Sequence, residues 1–262
     1  MQLYFIRHGQ SSNNALFDDD ANNQTRSEDP PLTEKGLRQA RHLAEFLRAE
    51  NGAPRVEKSD PDWDSGPVFT HIYTSLMIRA VATAACIASA LDLPLVAWSS
   101  IHEGGGIYLD DPESGAPQPL SGKPRSYFER HFPQLVLPET LGEEGWWNRP
   151  FETRPERRQR ARAFLAELLE RHGDQPHRVA VVSHGGFYNH FLSVLFGLQD
   201  GTARATVQSL RARDQDNVIL QPEDSLWFVL NNAGVSRFDF LPGEVWVAYL
   251  NRVDFLPPDL VT

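Results

Sequence analysis

A chain of 262 residues, 40% hydrophobic and 23% charged, has the balance of a globular protein that builds a core. Its 35 acidic and 25 basic residues give a formal net charge of -10, which excludes nonspecific nucleic-acid binding, a function that needs a basic face. Its one cysteine, Cys86, excludes an intramolecular disulfide, and no apolar run approaches the roughly 20 residues that span a bilayer.

The chain enters its first predicted strand at residue 2, which leaves no room for a signal peptide, so a cytoplasmic location is expected. That strand, Leu3-Tyr4-Phe5-Ile6, is a short apolar run that reads as fully buried, and it stops at Arg7, His8 and Gly9. In an open α/β sheet, ligands bind beyond the carboxyl ends of the strands, so a guanidinium and an imidazole here are placed to meet one. Gly9 lets the backbone turn sharply or approach a bound group, and Gln10, Ser11, Ser12, Asn13 and Asn14 add hydrogen-bonding side chains. Residues 17–31 are polar, acidic and proline-terminated and read as a surface loop, with the Asp18-Asp19-Asp20 triplet solvated rather than holding a cation. Thr33 is the expected N-cap of a helix carrying Leu37, Ala40, Leu43, Ala44 and Leu47 at helical spacing. Residues 51–67, rich in Gly, Pro and Asp, form another surface connection.

A second strand over 68–75 feeds a helix containing Met77, Ile78, Val81, Ala82, Ala85, Ile87 and Leu91, with Cys86 as a core residue. Arg79 falls in its first turn, where a helix N-terminus already favours anions and a guanidinium adds bidentate donors. A third strand over 93–98 leads to Glu103 and the tight turns of Gly104, Gly105 and Gly106. His102-Glu103 lacks the second histidine of a His-Glu-x-x-His metal site, and His102 reads as structural. Residues 107–150 are irregular and then aromatic, the character of a lid or insertion, and Lys123, Arg125, Arg130 and Arg149 are candidates to meet a second anionic group.

From Glu152 to about His172 an amphipathic helix is expected, with Arg154, Arg157, Arg158, Arg160 and Arg162 on a solvated face among Glu156, Glu167 and Glu170. Val179-Ala180-Val181-Val182 is again a buried run, ending in Ser183-His184-Gly185-Gly186. Two strands that each deliver a histidine and a glycine at their ends point to two imidazoles in one pocket. After a helix ending at Gly197 and a polar connection over 198–217, strands are expected at 226–230, 235–240 and 245–250. The last two form a hairpin at Pro242-Gly243.

Several spaced elements recur in one order: Arg7-His8-Gly9-Gln10-Ser11 with Asn14; Leu32-Thr33-Glu34-Lys35-Gly36 with Gln39-Ala40; Ser75 with Arg79-Ala80 and Thr83-Ala84; Glu103; and Ser183-His184-Gly185-Gly186. Together they resemble the histidine phosphatase (phosphoglycerate mutase-like) superfamily. The resemblance implies an α/β fold with three layers, a mostly parallel sheet with helices on both faces, and a C-terminal antiparallel hairpin. It implies a single domain over 1–262 with 104–150 inserted as a cap over the active site, and Leu250-Asn251-Arg252-Val253-Asp254-Phe255-Leu256 looks like the family's closing strand.

For function, the resemblance implies a histidine acid-type phosphatase: a metal-independent phosphomonoesterase without a cofactor, acting on a small phosphorylated metabolite. His8 would attack phosphorus to give a phosphohistidine, while Arg7, Arg79 and His184 hold the phosphoryl oxygens. Glu103 would protonate the leaving oxygen and then activate water, so it must carry a proton near the working pH. Asn14, Gln10, Ser11 and Gly185 are the expected substrate contacts. A phosphoglycerate mutase is the alternative, but Gly104-Gly105-Gly106-Ile107-Tyr108 departs from the basic and aromatic pattern of mutases after this acid. A non-catalytic phosphate- or phosphoprotein-binding module would be favoured by a lost nucleophile or acid, and both are present. Neither nucleic acid nor membrane is an expected partner; exposed aromatics in the cap or the hairpin could make a homodimer interface.

Overall fold

The computed structural model describes residues 1–18, 26–51, 68–198 and 227–262. Strand β1 (Gln2–Arg7) lies inside a seven-stranded sheet and is buried through Ile6, as its apolar run requires. It pairs in parallel with β7 (Arg178–Ser183), which pairs in parallel with β2 (His71–Thr74), β2 with β3 (Leu95–Ala97), and β3 with the short edge strand β6 (Leu135–Val136). On its other side β1 pairs antiparallel with β8 (Val235–Leu241), followed by the edge strand β9 (Glu244–Arg252), so the order is β6-β3-β2-β7-β1-β8-β9. The hairpin at Pro242-Gly243 forms as expected, with Gly243 at φ 79°.

Side-chain alternation along the strands divides the interior into two cores. Tyr4, Ile6, Ala180 and Val182 pack with α2 (Glu34–Glu50) and α3 (Ile78–Leu91). Leu3, Phe5, Val179 and Val181 pack with α5 (Arg154–His172) and α6 (Gly185–Leu195) on the other face. Helix starts are chemically specified. Thr33 Oγ1 accepts from Gly36 N at 3.0 Å to cap α2, and Glu156 reaches back to Thr153 N–H at 2.7 Å to open α5.

Three expectations need correction. The loop expected over 17–31 is preceded by a helix, α1 (Ser12–Asp18), whose small polar residues read as a turn from sequence. No strand forms at Trp227–Leu230, the described part of 226–230. There Phe228 N donates to Asn189 Oδ1 at 2.6 Å and Phe228 O accepts from Asn189 Nδ2 at 3.1 Å, so a side chain replaces a neighbouring strand. Arg160 is buried rather than solvated. The residues Asp19 and Asp20, and the connections over 52–67 and 199–226, lie outside the described residues.

The segment 104–150 contains a two-stranded hairpin, β4 (Tyr108–Asp110) with β5 (Pro117–Pro119), then α4 (Arg125–His131) and the sheet strand β6. Trp147 anchors it, fully buried against Met77 and Ile107. Gly106 sits at φ 82°, where any side chain would overlap the Trp147 ring. Among the described residues no helix is long and apolar enough to cross a membrane.

Candidate active site

β1 delivers Arg7 and His8 at its carboxyl end, and parallel β7 delivers His184 beside them, with the two imidazole centroids 5.0 Å apart. The environment fixes how His8 carries its proton. His8 Nδ1 lies 2.6 Å from Gly9 O, which can only accept, so Nδ1 holds the hydrogen and Nε2 keeps a lone pair. Arg79 Nε donates to that Nε2 at 3.1 Å. Burial, then the charges of Arg79 and Arg7, hold His8 well below the usual imidazole range, so it is neutral in neutral and mildly acid solution.

His184 receives the complementary treatment. Ser75 Oγ is 2.7 Å from His184 Nε2 and accepts from Met77 N at 3.4 Å, which holds the ring beside the end of β2. The other ring nitrogen, Nδ1, is buried and has no partner among the described residues. An orphaned buried polar atom is costly and therefore informative, because a polar group of a ligand would satisfy it. Burial and the nearby Arg79 keep this ring neutral too.

Arg79 is buried in the first turn of α3 and faces Asp29, with Nη1 to Oδ1 at 3.7 Å. Asp29 also accepts from Ile78 N at 3.1 Å, and burial, its largest influence, pushes its carboxyl up to about 6. Thr83, one turn on, donates to Arg79 O at 2.8 Å and accepts from Gly9 N at 3.1 Å, tying α3 to the turn after His8. The close approach at Gly9 is to the chain itself. A Cβ there would lie 2.5 Å from Gly36 O, so its missing side chain lets α2 pack backbone to backbone against the turn.

Glu103 is gathered onto the start of α6. Its carboxylate accepts from Gly104 N at 2.7 Å, Phe187 N at 3.0 Å and Gly186 N at 3.1 Å. Unpaired helix N–H groups and the helix dipole suit an anion there. A Cβ on Gly186 would overlap Oε1 and come within 3.0 Å of Cδ, so Gly186 is glycine because Glu103 needs the space. Behind this turn, buried Arg160 holds both the Ser100 and His102 carbonyls at 2.7 and 2.9 Å and forms a bidentate pair with buried Glu152 at 2.7 and 2.6 Å. His102 is structural as expected: its ring bonds Glu103 O at 2.8 Å and takes Arg149 at 3.1 Å.

A cavity of about 160 Å³ opens onto these groups, lined by Arg7, His8, Ser11, Asn14, Arg79 and Glu103 and walled by Arg26, Glu28 and Tyr108 among others. Five expected site residues and the expected contacts Ser11 and Asn14 thus converge: six line the cavity, and His184 stands against His8. Gln10 turns away, its Oε1 taking Thr33 Oγ1 at 2.7 Å beside α2. Gly185 packs at ordinary distance on Arg7, with a Cβ position 3.6 Å from Nε. The cap cations do not line the cavity: Arg125 holds the Leu141 and Pro138 carbonyls, Lys123 lies against Tyr127 and Glu28, Arg149 stacks on Trp147, and Arg130 is exposed.

Sequence reasoning missed Arg26, Asp29, Tyr108 and Asn232, whose Nδ2 donates to His8 O at 3.1 Å and Asn14 Oδ1 at 3.2 Å. None carries a local signal. Asp29 and Arg26 lie in a segment that reads as solvated, and Asn232 between two expected strands.

The family model described as histidine phosphatase superfamily (branch 1) matches residues 3–57 and 65–230. The chain belongs to this superfamily. No curated protein matches it. Among solved structures, a phosphoserine phosphatase from Entamoeba histolytica in complex with 3-phosphoglyceric acid matches at 18% identity and a TM-score of 0.54, over 98% of this chain and 99% of that one. A mycobacterial glucosyl-3-phosphoglycerate phosphatase complexed with VO3 matches at 17% identity and a TM-score of 0.54, over 96% and 99%. A putative alpha-ribazole-5'-P phosphatase from Escherichia coli matches at 19% identity and a TM-score of 0.52, over 96% of each chain. At these identities the neighbours establish the fold: a mostly parallel sheet between helices, with an antiparallel hairpin.

Proposed function

We propose that this histidine phosphatase hydrolyses a small phosphomonoester through a phosphohistidine at His8. The observation that carries the reading is the fixed tautomer of His8, whose Nε2 lone pair lies among Arg7, Arg79 and His184. Nε2 attacks phosphorus as the bond to the leaving oxygen breaks, and that oxygen takes the proton of Glu103. The Gly9 carbonyl steadies the positive charge that the phosphorylated ring gains, because Nδ1 keeps its hydrogen. Water then attacks phosphorus and gives its proton to the Glu103 carboxylate. The P–N bond breaks, and its electron pair returns to Nε2.

Arg7 and Arg79 supply donors to the phosphoryl oxygens with His184 beside them, and Arg79 Nε turns from His8 Nε2 to a phosphoryl oxygen as the lone pair attacks. The backbone donors around Glu103 hold its carboxylate at the cavity for both its roles, as acid and as base. A neutral His8 in mildly acid solution supports an acid-type phosphatase. The cavity of about 160 Å³ supports a small substrate, being below the roughly 300–1,000 Å³ of drug-sized ligand sites. The cap over 104–150, within a single domain, supports the same reading by walling the cavity with Gly104, Gly106 and Tyr108.

The test is hydrolysis of an aryl phosphate by the wild type and His8→Ala, with quenched reactions assayed for protein-bound, acid-labile phosphate. Turnover and adduct should both vanish in the variant. Full hydrolysis by His8→Ala would remove the nucleophile from the scheme.

A further inference from the structure

The opposite end of the sheet holds a second histidine constellation. His71 opens β2, His172 closes α5, and His177 immediately precedes β7. Their ring centroids stand 4.5 Å (71 to 172), 4.7 Å (71 to 177) and 5.1 Å (172 to 177) apart, and one ring nitrogen from each lies within 4.8 Å of the others. It is the one such cluster of potential ligands among the described residues. β7 separates it from His184 by the rise of its six residues, about 20 Å, so it takes no part in the chemistry at His8.

From this geometry we infer that His71, His172 and His177 form a binding site for a divalent cation of the zinc class, with the fourth position open to solvent. Three imidazoles and one open position are a familiar zinc donor set, and imidazole suits borderline metals rather than magnesium or calcium.

The surroundings prepare each ring. Thr70 Oγ1 donates to Arg178 O at 3.0 Å, so at 2.9 Å it can only accept from His71 Nδ1, which leaves His71 Nε2 with its lone pair. His172 Nε2 lies 3.1 Å from the Tyr73 hydroxyl, which can take its hydrogen and turn the Nδ1 lone pair towards His177. His172 Nδ1 and His177 Nδ1 already stand 2.9 Å apart, a separation that requires a proton or a cation between them. Tetrahedral zinc with bonds of about 2.0–2.1 Å places its ligand atoms about 3.3 Å apart, so the pair needs little adjustment. His71 and His177 are half-buried and can rotate inward, whereas buried His172 is the fixed member.

The backbone is held at each point. His177 O accepts from Gln2 N at 2.7 Å, Thr70 N donates to Arg178 O at 2.9 Å, and Gln175 N closes the α5 turn onto His172 O at 3.0 Å. Arg171, whose charge reaches His172, is paired with Glu167 and lies over Trp98 at 4.3 Å. A bound cation would tie the end of α5 to two parallel strands.

The experiment measures zinc bound per chain after dialysis, together with visible absorption on titration with cobalt(II), which is intense only in tetrahedral sites. Wild type should hold one zinc and raise its thermal midpoint with added metal. His71→Ala and His177→Ala should each weaken binding at least about 100-fold, a loss no smaller than that of an outer-shell partner. Tyr73→Phe should weaken it about tenfold, and His131→Ala, on exposed α4, should not change it. Retained aryl phosphate hydrolysis shows that each variant is folded. Less than one zinc in the wild type, or undiminished zinc in His71→Ala and His177→Ala, would overturn the assignment.

Discussion

Adjacent glycines at the start of α6 should respond in opposite ways to the same methyl group. At Gly186 a Cβ would overlap Glu103 Oε1, whereas at Gly185 it would meet nothing nearer than Arg7 Nε at 3.6 Å. Neither position has a left-handed backbone, so alanine is locally acceptable at both, and in a helix it gains roughly 0.5–1 kcal/mol over glycine. The Gly186→Ala methyl can be accommodated by swinging the carboxylate away, which gives up its bonds to Gly186 N and Phe187 N. Part of that loss is offset by helix propensity, so stability should change by less than about 2 kcal/mol. The active site has no such compensation. General acid–base catalysis contributes roughly 10²–10⁴ in rate, or about 3–5 kcal/mol of transition-state stabilisation. Gly186→Ala should therefore lose at least about 100-fold in kcat/KM on an aryl phosphate, while Gly185→Ala falls no more than a few-fold. Urea midpoints measured in parallel separate misfolding from misplacement. Wild-type kcat/KM in Gly186→Ala, with activity lost in Glu103→Gln, would refute the claim that α6 positions the acid.

Glu152→Ala leaves the Arg160 guanidinium buried without its carboxylate, which should cost about 3–5 kcal/mol and lower the denaturant midpoint; an unchanged midpoint would mean water reaches the pair. Asp29 carries a pH signature. Its folded value, about 6, lies above its ordinary 3.8, so the folded state binds the extra proton and stability falls as pH rises between those values. Asp29→Asn should abolish that slope, gaining on the order of 3 kcal/mol relative to wild type from pH 4 to pH 7; parallel stability curves would show that Asp29 titrates normally. Arg26 lines the cavity while its ion pair with Asp110 is half-exposed, so Arg26→Ala should leave stability within about 1 kcal/mol. For a substrate with a second anionic group it should raise KM about tenfold with little change in kcat, whereas a kcat loss at constant KM would place Arg26 at the phosphoryl group.

What the sequence made legible follows from how local each signal is. The strands before His8 and His184 were readable because burial on both faces of a parallel sheet leaves an uninterrupted apolar run. Arg79 was placed at a helix start by the strand, turn and helix that succeed one another within ten residues, but its phosphate role came from the family resemblance and not from the spacing. Thr33 declared its helix by side-chain chemistry alone. Asp29 and Asn232 were not readable, because their roles arise from chain segments 49 and 224 residues distant, Asp29 against Ile78 and Asn232 against His8. Arg160 is the instructive intermediate. It sits four and eight residues before Phe164 and Leu168 on the buried face, so helical spacing placed it inside, but the neighbouring arginines and glutamates suggested a solvated stripe. Its carboxylate partner, Glu152, lies just outside the helix, where an i,i+4 search does not look.

The cap illustrates how composition can mislead about specificity. Its cations suggested a second anion site, yet Arg125 spends its donors on Pro138 and Leu141 carbonyls, which shapes the cap, and Arg149 is committed to His102 and Trp147. The cavity wall instead comes from the short segment Arg26-Ser27-Glu28, held by Asn13 through paired bonds with Ser27 at 2.8 and 3.0 Å, and from Tyr108. Arg26 lies over Tyr108 at 5.6 Å and pairs with Asp110, and Lys123 of the cap stands 3.9 Å from Glu28 of the wall, so wall and cap meet through two cations. Trp147, packed where Gly106 leaves room, fixes the turn that carries Glu103. In the phosphatase reading the aromatic cap therefore acts on the rate, through the placement of the acid. The residues before α2 act on which leaving group fits. Substitutions at Trp147 and at Arg26 should accordingly separate, the first appearing in kcat and the second in KM.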